Sequence, residues 1–398
     1  MALEPSRWPG RPGWAEVDLD ALDHNVRLLA ARAAPARLFA VVKANAYGHG
    51  AVAVARSALA AGASGLAVVA VDEGEELRRA GIDAPLLVLG HTPASDAARA
   101  AALGLQPTVD APDLLEALAA AARLRGTEVA IHLELETGMN RHGLAPEACV
   151  AMAERARSMP GLRVEGLFTH FASADEADQS FTHRQFEVLR QVAARLPFVA
   201  LRHCSASAST LADPALALDM VRAGLSLYGY RPSAFCGPGA DLRPVMALRA
   251  RVARVFDVRA GDAVGYGRTW TASGPARLAL LMCGYADGYR RSFGNEAHAL
   301  LRGRRVPVLG RVSMDMCTVD VTGVPGVSPG DVATLLGADG AERVDADELA
   351  GLAGTISYEI LAGVSARVPR LYLRAGRAES ATTLCDRLPR PLDGEGRP

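Results

Sequence analysis

An excess of charge of either sign is missing from this sequence. Lysine and arginine number 43 against 44 aspartates and glutamates, a formal net charge of −1. Nothing in that balance resembles the basic footprint of a nucleic-acid binder, so no nucleic-acid partner is expected. A long apolar run is missing too. The stretch from Ala51 to Ala70 is mostly Ala, Gly and Val, and Arg56 interrupts it. It suits a helix followed by a buried strand rather than a membrane span, and no membrane partner is expected. The opening MALEPSRWPGRPG lacks the apolar core of a secretory signal. Cysteines in CxxC spacing are absent as well: Cys149, Cys204, Cys236, Cys283, Cys317 and Cys385 are scattered. That argues against a disulfide framework and against a zinc site. No metal is expected, and a reducing cytoplasm is the simplest setting.

What the chain has is material for large cores, with half of its 398 residues hydrophobic. That length fits two or three domains of ~150 residues, or one barrel of ~250 residues and a smaller domain. Eight short apolar runs fill the first part: LFAVVK (38–43), LAVVAV (66–71), PLLVLG (85–90), LQPTV (105–109), EVAIHLEL (128–135), VEGLFT (164–169), FVALRH (198–203) and MVRAGLSLYG (220–229). Helix-like segments such as Ala111–Arg125 and Gln179–Arg195 lie between them. Continuous apolar strands each followed by a helix make a parallel sheet covered on both faces. Eight such units point to a closed (β/α)8, TIM-like barrel. The fourth run is the weakest of the eight, being short and holding Pro107.

The pattern changes after Tyr230. Residues 231–244, RPSAFCGPGADLRP, read as a linker. Beyond it come short β-like runs at 248–258, 277–285, 305–310 and 316–321, punctuated by Gly and Pro. The expected organisation is therefore an N-terminal tail (1–13), an α/β barrel (14–238), a mostly β C-terminal domain (239–377) and a loose tail (378–398).

Several polar residues fall at the ends of barrel strands, where active sites of this fold lie. Lys43 closes the first run, in AVVKANAYGHG; apolar surroundings there would lower its pKa, and a neutral amine can form a Schiff base with an aldehyde cofactor. Arg141 follows the fifth strand, His170 closes the sixth, Ser207 lies past the seventh, and Arg222 and Gly224 sit on the eighth. Ser207 supplies a hydroxyl, and Gly224 lets backbone N–H groups approach a phosphate. Taken singly, each residue has an ordinary structural role open to it: cap, turn, core histidine or salt-bridge partner. Five strand ends together argue for a site. In the second domain GYGRTW places Tyr266 between glycines, GYADGYRRSFG places Tyr285 in a Gly/Asp turn, and RVSMDMCTVDV carries Met314 and Asp315.

AVVKANAYGHG resembles the pyridoxal-phosphate attachment motif of the alanine racemase family. WAEVDLDALDHNVRLL, THFASADE, the GYADGY turn, GRVSMD and the closing RVPRLY resemble that family in matching order, from about Trp14 to Tyr372. The resemblance implies a homodimer with shared active sites that interconverts L- and D-alanine with pyridoxal 5'-phosphate and supplies D-alanine for cell-wall peptidoglycan. Lys43 would carry the cofactor and act as the base on D-alanine; Tyr266, from the partner subunit, would be the base on L-alanine. Arg141 would bind the substrate carboxylate and the cofactor's phenolic oxygen. Arg222 would meet the pyridine nitrogen, held by His170. Tyr47, Ser207 and the backbone near Gly224 and Leu225 would bind phosphate, while Met314 and Tyr285 would line the substrate pocket from the partner. Asp315 is expected to support that loop.

The sequence departs from the family pattern at three places. Glu134 stands where many members have a lysine that becomes carbamylated, Ala366 where some have a tyrosine contacting the cofactor phosphate, and Ser313 where a cysteine is common. Glu134 is expected to orient Arg141, directly or through a bridging water. A racemase of broader or different preference, such as for serine, stays open as an alternative. A decarboxylase on a related architecture and a non-catalytic cofactor carrier are the other classes; Arg222 argues against the first, the tyrosine-bearing second domain against the other.

Overall fold

The computed structural model describes residues 4–386. The chain divides into two compact units. Among the described residues one comprises 21–46 and 51–243; the other takes in 4–20, the short segment Tyr47–Gly50 and 244–386. The first strand, β1 (Gly13–Asp18), belongs to that second unit.

The first unit is built on eight parallel strands: β2 (Arg37–Val41), β3 (Gly65–Val68), β4 (Leu86–Val88), β5 (Gln106–Val109), β6 (Val129–Glu134), β7 (Leu162–Phe168), β8 (Leu201–His203) and β9 (Met220–Ala223). Their order in the sheet is β8-β7-β6-β5-β4-β3-β2-β9. A parallel bridge between Ala206 and Arg222 joins its two ends, with the Arg222 N–H donating to the Ser205 carbonyl at 2.9 Å. All eight apolar runs of the sequence became strands of this TIM-like barrel. Their continuous hydrophobicity reflects cover on both faces: Leu66, Ala67, Val68, Leu86, Leu87 and Val88 are fully buried.

The intervening helices follow ordinary start and stop chemistry. Helix Pro112–Arg125 opens with Pro in its first turn, buries Leu114, Leu115, Leu118 and Ala122 along one stripe, and stops at Gly126 in the left-handed conformation, φ 64°. The barrel also encloses polar groups. His132 on β6 and His203 on β8 meet at 3.0 Å. Gly166, on the strand between them, makes room, since a Cβ there would fall 2.1 Å from His132 Nδ1.

The second unit is mostly β. Its strands are β10 (Met246–Val258), β11 (Ala263–Val264), β12 (Trp270–Thr271), β13 (Ala276–Leu281), β14 (His298–Leu301), β15 (Arg304–Leu309), β16 (Cys317–Asp320), β17 (Val332–Asp339), β18 (Glu342–Val344), β19 (Arg370–Arg374) and β20 (Arg377–Thr382). Ten of the unit's strands form one sheet, in the order β18-β17-β14-β15-β16-β13-β10-β1-β19-β20. Two short helices, Ala346–Ala353 and Ser357–Ala362, interrupt the β pattern; the first is capped by Asp345, which accepts the Glu348 N–H at 2.8 Å.

Three boundaries differ from the sequence-based expectation. β1 joins this sheet, antiparallel to β10 and parallel to β19, instead of opening the barrel. The barrel unit runs to Arg243 rather than ending at 238. The expected loose tail begins with strand β20, paired with β19 through Thr382, and its residues beyond 386 lie outside the described ones. No helix among the described residues is long and apolar enough to cross a membrane.

Candidate active site

The C-terminal ends of the barrel strands gather Lys43, Arg141, His170, Ser207, Arg222, Gly224 and Leu225 in one unit, with Glu134 ending β6. Lys43 follows β2 directly after Val42. Its pKa is lowered by burial first and by the Arg141 charge second; Glu73 opposes this and Arg222 adds to it. It is also the only lysine in the chain, beside 42 arginines: a signal available in the sequence that motif reasoning passed over.

The backbone after Lys43 is unusual. Ala44, Asn45, Ala46 and Tyr47 all have φ between 51° and 54°, one left-handed turn made without glycine. Such residues cost about 1–2 kcal/mol each, so the turn must be held from outside. Glu73 does much of this, its carboxylate accepting the N–H of Ala44 at 2.7 Å and of Val69 at 2.7 Å. Asn45 Oδ1 accepts the Ala51 N–H at 2.9 Å, and the Ala46 N–H donates to the Val42 carbonyl at 2.8 Å. Sequence reasoning missed Glu73, whose only local mark is its place in the first turn of helix Val71–Arg79.

Arg222 is buried. It donates to His203 Nδ1 at 2.6 Å, to the Thr169 carbonyl at 2.9 Å and to His170 Nδ1 at 3.4 Å. These contacts fix the proton positions. His203 accepts at Nδ1 and therefore carries its proton on Nε2, which donates to His132 Nδ1 at 3.0 Å; His132 in turn donates from Nε2 to Gln106 Oε1 at 3.3 Å. A neutral chain of this kind suits the electrostatics. Burial, then Arg222, pushes the pKa of His132 and of His170 down to about 3, and that of His203 well below its ordinary value. Burial lowers Arg222 itself to about 10, which leaves it charged at neutral pH.

Ser207, also buried, turns its Oγ toward the eighth strand end, where it accepts the N–H of Gly224 at 3.0 Å and of Ser226 at 3.2 Å. The Ser226 hydroxyl is buried beside them without a hydrogen-bond partner. With its Oγ accepting from these two N–H groups, Ser207 keeps its own O–H to donate, and together with the unpartnered Ser226 hydroxyl it suits a phosphate.

Arg141 is exposed, on a loop tied by the Glu136 carboxylate to the N–H groups of Gly138 and Asn140. Glu134 has another partner. Its Oε2 pairs with His142 Nδ1 at 2.7 Å, and His142 Nε2 pairs with Asp110 at 2.8 Å. Burial disfavours charge on His142, but hydrogen bonds to Glu134 and then Asp110 outweigh it and raise its pKa. Among the described residues Glu134 bonds to His142 and makes no direct hydrogen bond to Arg141, which leaves the water-bridged form of the expected contact. His142, Asp110, His203 and His132 gave no motif in the sequence, since each lies in or beside an apolar run far from its partners.

The second unit carries Tyr266, Tyr285, Met314 and Asp315, together with Tyr47. Tyr266 is 72% exposed, Met314 53% and Tyr285 41%. Their loops adjoin: the Tyr285 N–H donates to the Ser313 carbonyl at 2.9 Å, the Ala286 N–H to the Met314 carbonyl at 2.9 Å, and Gly267, next to Tyr266, packs against the Arg311 side chain. Asp315 pairs with Arg367 at 2.5 Å, and Arg367 reaches Asp287 at 2.6 Å. Tyr47 is buried, which raises its pKa to about 12, and its ring lies 6.1 Å from that of Tyr358.

A barrel mouth with one depressed lysine, two arginines and hydroxyls suited to a phosphate is a candidate enzyme site. Comparison with known proteins gives its kind. Residues 17–232 match the family model "Alanine racemase, N-terminal domain" and residues 245–372 "Alanine racemase, C-terminal domain". The chain is 43% identical over 368 residues to an alanine racemase of Desulfovibrio desulfuricans, covering 91% of this chain and 98% of that one. With an alanine racemase of Desulfosudis oleivorans it shares 44% over 374 residues, covering 90% and 96%. Among solved structures, alanine racemase from Bacillus anthracis with bound L-Ala-P superposes with a TM-score of 0.88 at 35% identity, covering 95% of this chain and 99% of that one. Alanine racemase from Clostridium difficile gives 0.91 at 32% identity, covering 94% and 99%. The chain belongs to the alanine racemase family and is an isomerase of that kind.

Proposed function

We propose that this protein interconverts L- and D-alanine by a two-base mechanism with pyridoxal 5'-phosphate, as a homodimer whose sites are shared between subunits. The observation that carries the reading is Lys43, a single lysine with a lowered pKa at a barrel mouth whose buried hydroxyls would suit a phosphate. When bound, the cofactor supplies the electron sink for the substrate's Cα electrons. Lys43 would hold its aldehyde carbon; Ser207, the N–H groups around Gly224 and Leu225, and Tyr47 would hold its phosphate. Arg222 would meet the pyridine nitrogen. A guanidinium cannot readily give up a proton, so it keeps that nitrogen unprotonated and restrains side reactions such as transamination. His170, accepting from Arg222, helps fix the guanidinium.

Racemisation needs a proton removed from one face of Cα and another delivered to the opposite face. Lys43 Nζ serves one face, and the Oη of Tyr266 from the partner subunit serves the other. Arg141, exposed at the barrel mouth, is available to clamp the substrate carboxylate with its planar fork. Met314 and Tyr285 of the partner would bound the space around the substrate side chain.

Chiral chromatography of the purified holoprotein should show L-alanine and D-alanine each approaching the racemate. Borohydride reduction followed by peptide mass spectrometry should find the cofactor on Lys43, with no other lysine to compete. Lys43→Ala should lower turnover by about a thousandfold or more. Carbon dioxide release without racemisation, or a chain that takes up no cofactor, would overturn the reading.

A further inference from the structure

Three neighbouring strand ends on the barrel mouth carry a cluster that the racemase reading does not use. His91 follows β4, Asp110 follows β5 and His142 follows β6, and β4, β5 and β6 are consecutive in the sheet. Asp110 Oδ2 lies 2.7 Å from His91 Nδ1 and 2.8 Å from His142 Nε2, and the three donor atoms all fall within 4.8 Å of one another. We propose that His91, Asp110 and His142 form a binding site for a divalent transition-metal ion of the Zn²⁺ type, with Glu134 as the carboxylate behind His142.

Charge is the first argument. Asp110 and Glu134 are both largely withdrawn from solvent, with side chains 16% and 8% exposed, and among the described residues neither forms an ion pair with an arginine or lysine. Among the described residues their close ion-pair partners are the two imidazoles. A dication bound by the trio would stand against both carboxylates at once. Asp110 also keeps a second oxygen, Oδ1, buried without a hydrogen-bond partner.

The donor set selects the metal. Two imidazoles and one carboxylate suit Zn²⁺ and its first-row neighbours, whereas Mg²⁺ and Ca²⁺ require mostly oxygen. His142 presents Nε2 to the ion while its Nδ1–H points at Glu134, 2.7 Å away. That carboxylate–histidine–metal order fixes the tautomer and raises the basicity of a ligating imidazole. Metal–ligand bonds of about 2.0–2.1 Å place tetrahedral ligands about 3.3 Å apart, so the hydrogen-bonded trio must part by about half an ångström. The His91 side chain, 60% exposed, can make that movement and opens the site to solvent. Water would fill the fourth position. The ligands come from three separate strands, so no spacing in the sequence betrays them.

The test is equilibrium dialysis of the chelator-treated holoprotein against buffered Zn²⁺, with bound metal counted by mass spectrometry. All samples carry Cys385→Ser, because Cys385 is the exposed thiol among the described residues. One ion per chain is expected, and His91→Ala and Asp110→Asn should each weaken binding tenfold or more. His91 lies outside the catalytic machinery and at the surface, so its variant should fold and racemise as before. Co²⁺ in place of Zn²⁺ should give visible d–d absorption that His91→Ala abolishes. Absence of saturable binding, or wild-type affinity in either variant, overturns the site.

Discussion

His132, His203 and His170 sit around Arg222 as neutral rings, and the proton on each is placed by what the guanidinium donates. His170 could be suspected from sequence because it closes a strand. His132 and His203 could not, because IHLEL and VALRH read simply as apolar strands and the meeting of the two rings spans the barrel interior. Their cost is pH-dependent. In the unfolded chain each histidine takes up a proton near the ordinary pKa of 6.5, whereas in the folded protein His132 and His170 are held down to about 3 by burial and then by Arg222. Below pH 6.5 the unfolded state binds more protons, so stability falls as pH falls, and the loss continues until the folded value near 3 is reached. Each such histidine contributes a slope of up to about 1.4 kcal/mol per pH unit. Replacing His132 with Gln should remove one increment of that slope. Urea unfolding between about pH 6 and about pH 4, at fixed protein and cofactor concentration, measures it. An unchanged slope would mean that His132 is not held neutral.

At the scale of elements the eight barrel strands were legible because a strand buried on both faces has a strong local signal. β1 was not: its place between β10 and β19 rests on pairing with segments more than 200 residues away, and nothing in GWAEVD specifies a distant partner. The left-handed turn after Lys43 was nearly as hidden, since Asn45 tolerates φ near 54° but Ala44 and Ala46 have no local reason to adopt it. It depends on Glu73, which comes from the next strand–helix unit. Removing that carboxylate with Glu73→Ala should cost about 1–2 kcal/mol, since charged acceptors of partly exposed N–H groups are lost. Because the turn starts at Lys43, the larger effect should fall on the cofactor: its loss on dialysis should be several-fold faster than from the wild type. Glu73→Gln, which keeps one oxygen acceptor, should sit between. If Glu73→Ala loses stability but retains cofactor at the wild-type rate, the turn is not what positions Lys43.

At the scale of the whole molecule, the groups proposed for the two faces of the substrate belong to different units. Lys43 is in the barrel, and Tyr266, Met314 and Tyr285 stand exposed on adjoining loops of the β unit. Among the described residues Tyr266, Tyr285 and Met314 are exposed large side chains of one unit, and a covering partner subunit would bury them. The proposed shared site requires a two-fold dimer that sets each β unit against the other subunit's barrel. Subunit mixing tests this directly. Lys43→Ala and Tyr266→Phe homodimers each lack one base at both sites. In a heterodimer with shared sites, one site receives both defects and the other receives the intact Lys43 of one chain and the intact Tyr266 of its partner. Random exchange makes about half the dimers mixed, and half of their sites are whole, so about a quarter of wild-type activity should return. If Lys43 and Tyr266 of the same chain met in one site, every site in the mixture would carry one defect and no activity would return. Native mass spectrometry establishes that exchange has occurred, so silence from a proven heterodimer rules out the shared site.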